Sequence, residues 1–120
     1  MSRRVLVVDD EESIHAVMRS LLSGEGYDVR CAFAEDDALA FAKDWAPELI
    51  LSDIVLEKTS GFVLATKLQA VTSAPILFFT GHWSAETVKD AKLLGVRDVL
   101  RKPITPAVLF EAIQRHLPQI

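Results

Sequence analysis

The 120-residue chain is short of cysteine and of long hydrophobic runs. Because Cys31 is the only cysteine, an internal disulfide is excluded, and the chain suits a reducing compartment such as the cytoplasm. Cys31 itself stands in an apolar stretch and is interpreted as a small hydrophobic residue rather than a reactive thiol. The N-terminal segment has a short apolar run that acidic residues follow at once, so it predicts neither a signal peptide nor a membrane-spanning helix.

The chain also lacks an excess of positive charge. Its formal net charge is -4, which argues against nucleic acid as a direct partner, because phosphate backbones attract basic patches. No internal repeat, low-complexity tract or linker-like stretch is present. Half of the residues are hydrophobic, which is enough for a core, so we expect one domain over residues 1–120 and no effector domain.

Five apolar segments predict strands, and the segments between them predict helices. The strands are expected at residues 5–8, 27–33, 49–52, 75–79 and 96–100. The helices are expected at residues 11–24, 38–45, 61–70, 85–94 and 106–117. Three acidic residues, Glu35, Asp36 and Asp37, precede the second helix and are interpreted as structural, because negative charge favours a helix N-terminus.

Strict alternation of strands and helices predicts an α/β fold with a parallel sheet and helices on both faces. In such sheets the functional crevice lies at the carboxyl ends of the strands, where the strand order reverses. The residues at those ends are therefore the first candidates for a functional site.

Four of the five strands end in polar residues that would converge on that crevice. They are Asp9 and Asp10 after the first strand, Asp53 after the third, Thr80 after the fourth and Lys102 after the fifth. Clustered carboxylates repel one another and need a cation, and oxygen ligands beside phosphates favour Mg²⁺. The lysine and the hydroxyl can hold the oxygens of a transferring phosphoryl group.

Taken singly, each of these residues has a simpler interpretation. Asp9 or Asp10 could cap the first helix, and Asp53 could be a turn residue. Thr80 could be an ordinary strand end, and Lys102 could lie in a solvated loop. Their joint occurrence, each at the appropriate strand end, favours the functional interpretation.

Four segments make the pattern more specific: VLVVDDEES, LILSDIVLEKTSGF, PILFFTG and GVRDVLRKP, with Gly61 eight residues after Asp53. In this order they resemble the receiver domain of two-component response regulators over essentially the whole chain. The resemblance implies a flavodoxin-like, doubly wound (βα)5 domain with a five-stranded parallel sheet in the order 2-1-3-4-5. It also implies a bacterial, cytoplasmic signalling protein that takes part in a phosphorelay.

The resemblance implies roles for the residues of the crevice. Asp53 is the expected phosphoacceptor, and Mg²⁺, with Mn²⁺ as an alternative, is expected on Asp9, Asp10, Asp53 and the backbone carbonyl of Val55. Thr80 and Lys102 are expected to bind the phosphoryl group. A cis peptide bond is expected between Lys102 and Pro103.

The expected donor is a phosphohistidine on a sensor histidine kinase or a phosphotransfer protein. The output is expected through a downstream protein partner or effector domain, or through homodimerisation, at the face of the fourth helix, fifth strand and fifth helix. Such a domain assists its own phosphorylation and dephosphorylation but is not a turnover enzyme. A membrane partner is not expected.

Three alternatives belong to other classes. A receiver-like module that is not phosphorylated would bind its partner constitutively, although it would not need the complete polar set. An aspartate-based phosphatase needs a second aspartate two residues after the nucleophile, where Glu11 follows Asp9. A nucleotide- or flavin-binding domain needs a glycine-rich phosphate loop after the first strand, which is missing here.

The sequence departs from the family pattern at two positions. Glu57 stands where proline is usual, four residues after Asp53, and Val99 stands where an aromatic ring usually relays the movement of Thr80. Trp83 is a candidate substitute for that ring or an anchor for a partner, unless it simply packs over the neighbouring helix. Val55 and His82 are expected to tune the lifetime of the phosphoryl group.

Overall fold

The computed structural model describes residues 2–118, in which five strands alternate with five helices. The elements are β1 (Arg4–Val8), α1 (Glu12–Gly24), β2 (Asp28–Ala32), α2 (Glu35–Asp44), β3 (Leu49–Asp53), α3 (Gly61–Gln69), β4 (Ile76–Thr80), α4 (Ala85–Leu94), β5 (Asp98–Arg101) and α5 (Pro106–His116). Among the described residues, no helix combines the length and the apolar character needed to cross a membrane.

All five strands belong to one parallel sheet with the order β2-β1-β3-β4-β5. This confirms the predicted flavodoxin-like order 2-1-3-4-5. The chain moves from β1 outward to β2 and then across to β3, so the order reverses between β1 and β3. Val8 of β1 is paired with Ser52 of β3 in the parallel register. The residues that follow them, Asp9 and Asp53, therefore lie beside the same crevice.

The three central strands, β1, β3 and β4, are largely apolar because both faces of the sheet are covered there. Alternate side chains such as Leu6, Ile50 and Phe78 point to one face, where they pack against α2, α3 and α4. Their neighbours, such as Leu51 and Phe79, point to the other face and pack against α1 and α5. Each fully buried side chain of this kind stabilises the fold by about 1.5–3 kcal/mol, so the sheet is a rigid support for the loops at its edge.

The second helix begins at Glu35, three residues earlier than predicted, because an acidic side chain satisfies its free amides. The Asp37 carboxylate accepts hydrogen bonds from the backbone N–H groups of Phe33 and Ala34, both at 2.8 Å. These bonds stabilise the first turn, which then includes all three acidic residues. Asp37 therefore has a structural role at the helix start, and all three acidic residues lie inside the helix rather than before it.

Two predicted strands are shorter than expected because helix ends take their first residues. Gly95 closes α4 with a φ of 97°, and the N–H of Val96 then bonds to the Ala91 carbonyl at 2.9 Å. The N–H of Tyr27 bonds in the same way to the Leu22 carbonyl of α1, at 3.0 Å. The strands β5 and β2 therefore begin only at Asp98 and Asp28.

Candidate functional site

Three carboxylates meet at the crevice between the ends of β1 and β3. One carboxylate oxygen from each of Asp9, Asp10 and Asp53 lies within 4.8 Å of the others. Asp9 is fully buried and Asp53 is 6% exposed, whereas Asp10 faces solvent more openly. A cluster of like charges at this spacing, with one open side, suits a hard divalent cation such as Mg²⁺.

Lys102 brings the opposing positive charge. Its Nζ donates to Asp9 Oδ2 at 3.2 Å and to Asp53 Oδ2 at 3.0 Å. The ammonium also lies 4.9 Å from the centre of the Phe79 ring. The Lys102 N–H bonds to the Thr80 carbonyl at 2.8 Å, and the Lys102–Pro103 peptide bond is cis. The end of β5 therefore holds this lysine over the carboxylates.

Burial and charge act in opposite directions on these groups. Burial raises the pKa of Asp9, and the N–H of Glu11 and the ammonium of Lys102 only partly offset that rise. Burial alone would lower the pKa of Lys102, but the hydrogen bonds and charges of Asp53 and Asp9 outweigh it and raise that pKa. The lysine is therefore firmly protonated, while Asp9 ionises less readily than an exposed aspartate.

Asp9 and Asp10 do not cap α1 with their side chains. The N-cap is Glu11, whose side chain makes no capping hydrogen bond. Instead, Asp9 Oδ1 accepts a hydrogen bond from the Glu11 N–H at 2.8 Å, which fixes the acidic loop ahead of the helix.

Thr80 and Val55 also border the crevice. Thr80 is fully buried, and its Oγ1 accepts a hydrogen bond from the His82 N–H at 3.0 Å. The Val55 N–H donates to Asp53 Oδ1 at 3.3 Å, so the two Asp53 oxygens have different partners. The side chains of Val55 and His82 are both exposed at the mouth of the crevice.

Gly61 makes the close approach of β3 and α3 feasible. A Cβ at this position would lie 2.5 Å from the Asp53 carbonyl oxygen and 2.8 Å from Ile54 Cα. The Gly61 N–H also bonds to the Ile54 carbonyl at 2.6 Å. Only glycine therefore allows the loop that carries Asp53 to close in this way.

The loop after β3 also borders an open cleft of about 650 Å³ beside the carboxylates. Its lining includes Asp10, Phe33, Glu35, Glu57 and Lys58. Glu57 is exposed, so its charge faces this cleft and provides none of the three clustered carboxylates.

The two candidate relay residues lie in different environments. Val99 is 7% exposed and packs in the core with Ala91 and Val96. Trp83 is 38% exposed and lies in the loop after β4, where the guanidinium carbon of Arg101 is 4.3 Å from its ring centre. Trp83 therefore contacts the end of β5.

His15 is a residue of the site that the sequence reasoning missed. It lies in α1, is fully buried, and its Nε2 is 2.6 Å from the backbone carbonyl of Asp9. The helical spacing contained a signal for this, because His15 lies three and seven residues before Met18 and Leu22, on the buried face of α1. His116, in contrast, pairs with Asp98 at 3.2 Å, far along the sheet.

The strand order and the acidic crevice at the switch point define a CheY-like flavodoxin fold with a candidate cation site. Known proteins agree with this class. A family model described as the response regulator receiver domain matches residues 5–114. The chain therefore belongs to the response regulator receiver domain family, whose members typically bind Mg²⁺ at an acidic pocket. Receiver domains are signalling domains.

Individual relatives show the same likeness. The transcriptional regulatory protein ZraR of Salmonella typhimurium is 34% identical over 114 residues, which are 94% of this chain and 26% of that protein. The chain thus spans about a quarter of the length of this curated relative. The chemotaxis protein CheY4 of Vibrio cholerae is 32% identical with a TM-score of 0.91, over 98% of this chain and all of that one. The NtrX receiver domain of Brucella abortus is 34% identical with a TM-score of 0.88, over 94% and 97% of the two chains.

Proposed function

We propose that this chain is a phosphorylation-dependent signalling switch whose phosphoacceptor is Asp53. The observation that supports this best is the convergence of three carboxylates and one ammonium on a single crevice, with Lys102 Nζ 3.0 Å from Asp53 Oδ2. Such an arrangement supplies a nucleophilic oxygen, a cation site and a positive charge beside the oxygen that would carry the phosphoryl group.

The reaction moves one phosphoryl group. The P–N bond of a phosphohistidine on a histidine kinase or phosphotransfer protein breaks, and a P–O bond forms to a carboxylate oxygen of Asp53. Asp9, Asp10, Asp53 and the Val55 carbonyl would hold Mg²⁺, which would supply charge neutralisation when bound. Lys102 then pairs with a phosphoryl oxygen, and water later returns the group as inorganic phosphate.

The signal begins at Thr80. Its hydroxyl, now accepting the His82 N–H, would turn to a phosphoryl oxygen and so release the loop that holds Trp83. Because Val99 has no ring to move, the Trp83–Arg101 contact takes the place of the usual relay. The exposed side chains of Val55, Glu57 and His82 set how easily water reaches the acyl phosphate.

The output is a change in the face formed by α4, β5 and α5. A downstream protein, an effector domain or a second copy of the chain would bind there. We place the domain in the bacterial cytoplasm as part of a phosphorelay, with no contact to nucleic acid or membrane. It promotes its own phosphorylation and dephosphorylation without acting as a turnover enzyme.

The test is phosphorylation by acetyl phosphate, followed by intact mass. We expect one phosphoryl adduct in the presence of Mg²⁺, and none with Asp53→Ala or with a chelator. Ser52→Ala, one residue away, is the matched control and should still be phosphorylated. The same samples, measured by light scattering, report whether phosphorylation drives dimerisation.

A folded protein that gives no adduct, and does not bind beryllofluoride either, would contradict the proposal. The beryllofluoride arm is needed because a very short-lived adduct would escape detection by mass. That combined negative result would favour a constitutive, unphosphorylated interaction module instead.

A further inference from the structure

His15 is a buried polar side chain whose contact the proposed chemistry does not use. It is fully buried in α1, and its ring stands 4.4 Å from the ring of Phe33, at 59°. Burying an imidazole requires hydrogen bonds for its nitrogens. Only Nε2 has a partner, the Asp9 carbonyl at 2.6 Å, whereas Nδ1 has none among residues 2–118.

The direction of this hydrogen bond follows from its partner. A backbone carbonyl only accepts, so Nε2 carries the proton and donates. The carbonyl lies just beyond the last residue of β1, which ends at Val8. No other hydrogen bond to it is found among residues 2–118. His15 thus satisfies a buried acceptor that would otherwise have no partner.

Every other polar group of Asp9 also has a hydrogen-bond partner. Its N–H donates to the Ala32 carbonyl at 3.1 Å, Oδ1 accepts from Glu11 at 2.8 Å, and Oδ2 accepts from Lys102 at 3.2 Å. The carboxylate of Asp10, in contrast, takes part in no hydrogen bond or ion pair found among residues 2–118. Its position is therefore set by the backbone, beginning with the peptide that joins Asp9 to Asp10.

We propose that His15 is a positioning residue of the cation site, which fixes the Asp9–Asp10 peptide plane and thereby aims the Asp10 carboxylate at Mg²⁺. The inference rests on the proposed function in that it takes this cluster to bind Mg²⁺. Phe33 packs over the ring from the loop between β2 and α2, so it shields the hydrogen bond from solvent.

Three substitutions separate this role from packing alone. His15→Phe keeps a ring but removes the donor. His15→Gln places an amide nitrogen three bonds from Cβ, as Nε2 is, and can restore the bond. His15→Asn keeps an amide but places its nitrogen two bonds from Cβ, as Nδ1 is, so it cannot reach the carbonyl. His116→Phe, at the other end of the sheet, is the matched control.

The measurement is the Mg²⁺ dissociation constant by calorimetry, without any phosphoryl donor. Electron paramagnetic resonance of Mn²⁺ serves as a second probe of the same site. We expect His15→Phe and His15→Asn to weaken Mg²⁺ about tenfold, as loss of a supporting hydrogen bond does at other metal sites. His15→Gln should recover most of that loss, and His116→Phe should match the wild type.

Thermal unfolding in metal-free buffer separates the outcomes. If His15→Phe lowers only the melting temperature and leaves Mg²⁺ affinity unchanged, His15 is structural and the inference fails. It fails equally if His15→Gln binds Mg²⁺ no better than His15→Asn does. If the wild type itself does not bind Mg²⁺, the proposed function fails instead, so the two failures are distinguishable.

Discussion

The guanidinium of Arg101 covers the indole ring of Trp83, with its carbon 4.3 Å from the ring centre. This stack joins the loop after β4 to the last residue of β5. Thr80 lies three residues before Trp83, and Lys102 directly follows Arg101. A cation held over an indole contributes about 0.5–1 kcal/mol at an exposed position, which is small enough to be broken by a change in the crevice.

We expect the emission of Trp83 to report that change. In a Trp45→Phe background, Trp83 is the only indole, and beryllofluoride with Mg²⁺ should shift its emission because the loop leaves Arg101. Arg101→Gln removes the cation, so this variant should show a shifted emission even without beryllofluoride. An unchanged spectrum in the Trp45→Phe protein, at saturating beryllofluoride, would rule out a moving Trp83.

A second variant tests whether Thr80 starts the movement. Thr80→Ala removes the hydroxyl that accepts the His82 N–H at 3.0 Å. We expect this protein still to bind beryllofluoride through Asp53 and Lys102, but with a much smaller change in Trp83 emission. A full response in Thr80→Ala would show that the loop is moved by another group.

Gly61→Ala should destabilise the domain, because the new Cβ would lie 2.5 Å from the Asp53 carbonyl. The backbone must shift, which costs about 1–3 kcal/mol, and phosphorylation of Asp53 should slow as its loop moves. Gly24→Ala is the matched control, because no atom lies within 4 Å of the added Cβ there. Urea unfolding measures the stability of both variants. Equal stabilities would contradict the argument that a Cβ at position 61 lies too close to the Asp53 carbonyl.

The sequence predicted the features that depend on local pattern. Continuous apolar runs such as residues 76–79 are typical of strands covered on both faces, so the parallel sheet and its polar strand ends followed from the alternation of strands and helices. The strand order 2-1-3-4-5 came from the resemblance to receiver domains and not from the alternation. The contacts of His15 and Trp83 did not follow, because each depends on how a loop brings two elements together: His15 meets the Asp9 carbonyl at the end of β1, and Trp83 meets Arg101 at the end of β5. The helical periodicity places His15 on the buried face of α1, but it does not predict that the Asp9 carbonyl is its hydrogen-bond partner.

Element ends were the least predictable part of the fold. Val96 has the apolar character of a strand residue, yet its N–H completes the end of α4. Glu35 precedes the apolar periodicity of α2, yet the Asp37 carboxylate starts the helix there. In both cases one hydrogen bond outweighs the local hydrophobic pattern.

Glu48 is expected to make stability depend on pH. Its carboxylate accepts from Arg3 Nε at 2.5 Å and from the Arg4 N–H at 3.1 Å. Burial alone would raise the pKa of Glu48, but these donors and charges lower it below the ordinary value of 4.5. The stabilisation is therefore complete above pH 4.5 and disappears as the pH falls through the lowered pKa.

Glu48→Gln should cost about 1 kcal/mol at pH 7, and the difference from wild type should shrink as the pH is lowered below 4.5. Urea unfolding over that pH range measures it. Glu25→Gln serves as control, because Glu25 is exposed and has no ion pair among residues 2–118. A cost for Glu48→Gln that is constant with pH would mean that packing, rather than charge, is responsible.

The Nζ of Lys102 pairs with both Asp9 and Asp53 and so offsets part of their negative charge. Lys102→Met should therefore destabilise the metal-free domain by about 3 kcal/mol, because it leaves buried carboxylates unpaired. Mg²⁺ should then raise the melting temperature more in the variant than in the wild type. In the variant, Mg²⁺ no longer competes with the Lys102 ammonium for the carboxylates.

The control for this effect is Lys67→Met, which breaks an exposed ion pair with Glu35 at 2.8 Å and should cost less than about 1 kcal/mol. Its response to Mg²⁺ should match that of the wild type, because Glu35 provides none of the clustered carboxylates. Melting curves with and without Mg²⁺ decide the matter for both lysines. If Mg²⁺ stabilises Lys102→Met less than the wild type, the ammonium helps to organise the cation site rather than competing for it, and the predicted order is reversed.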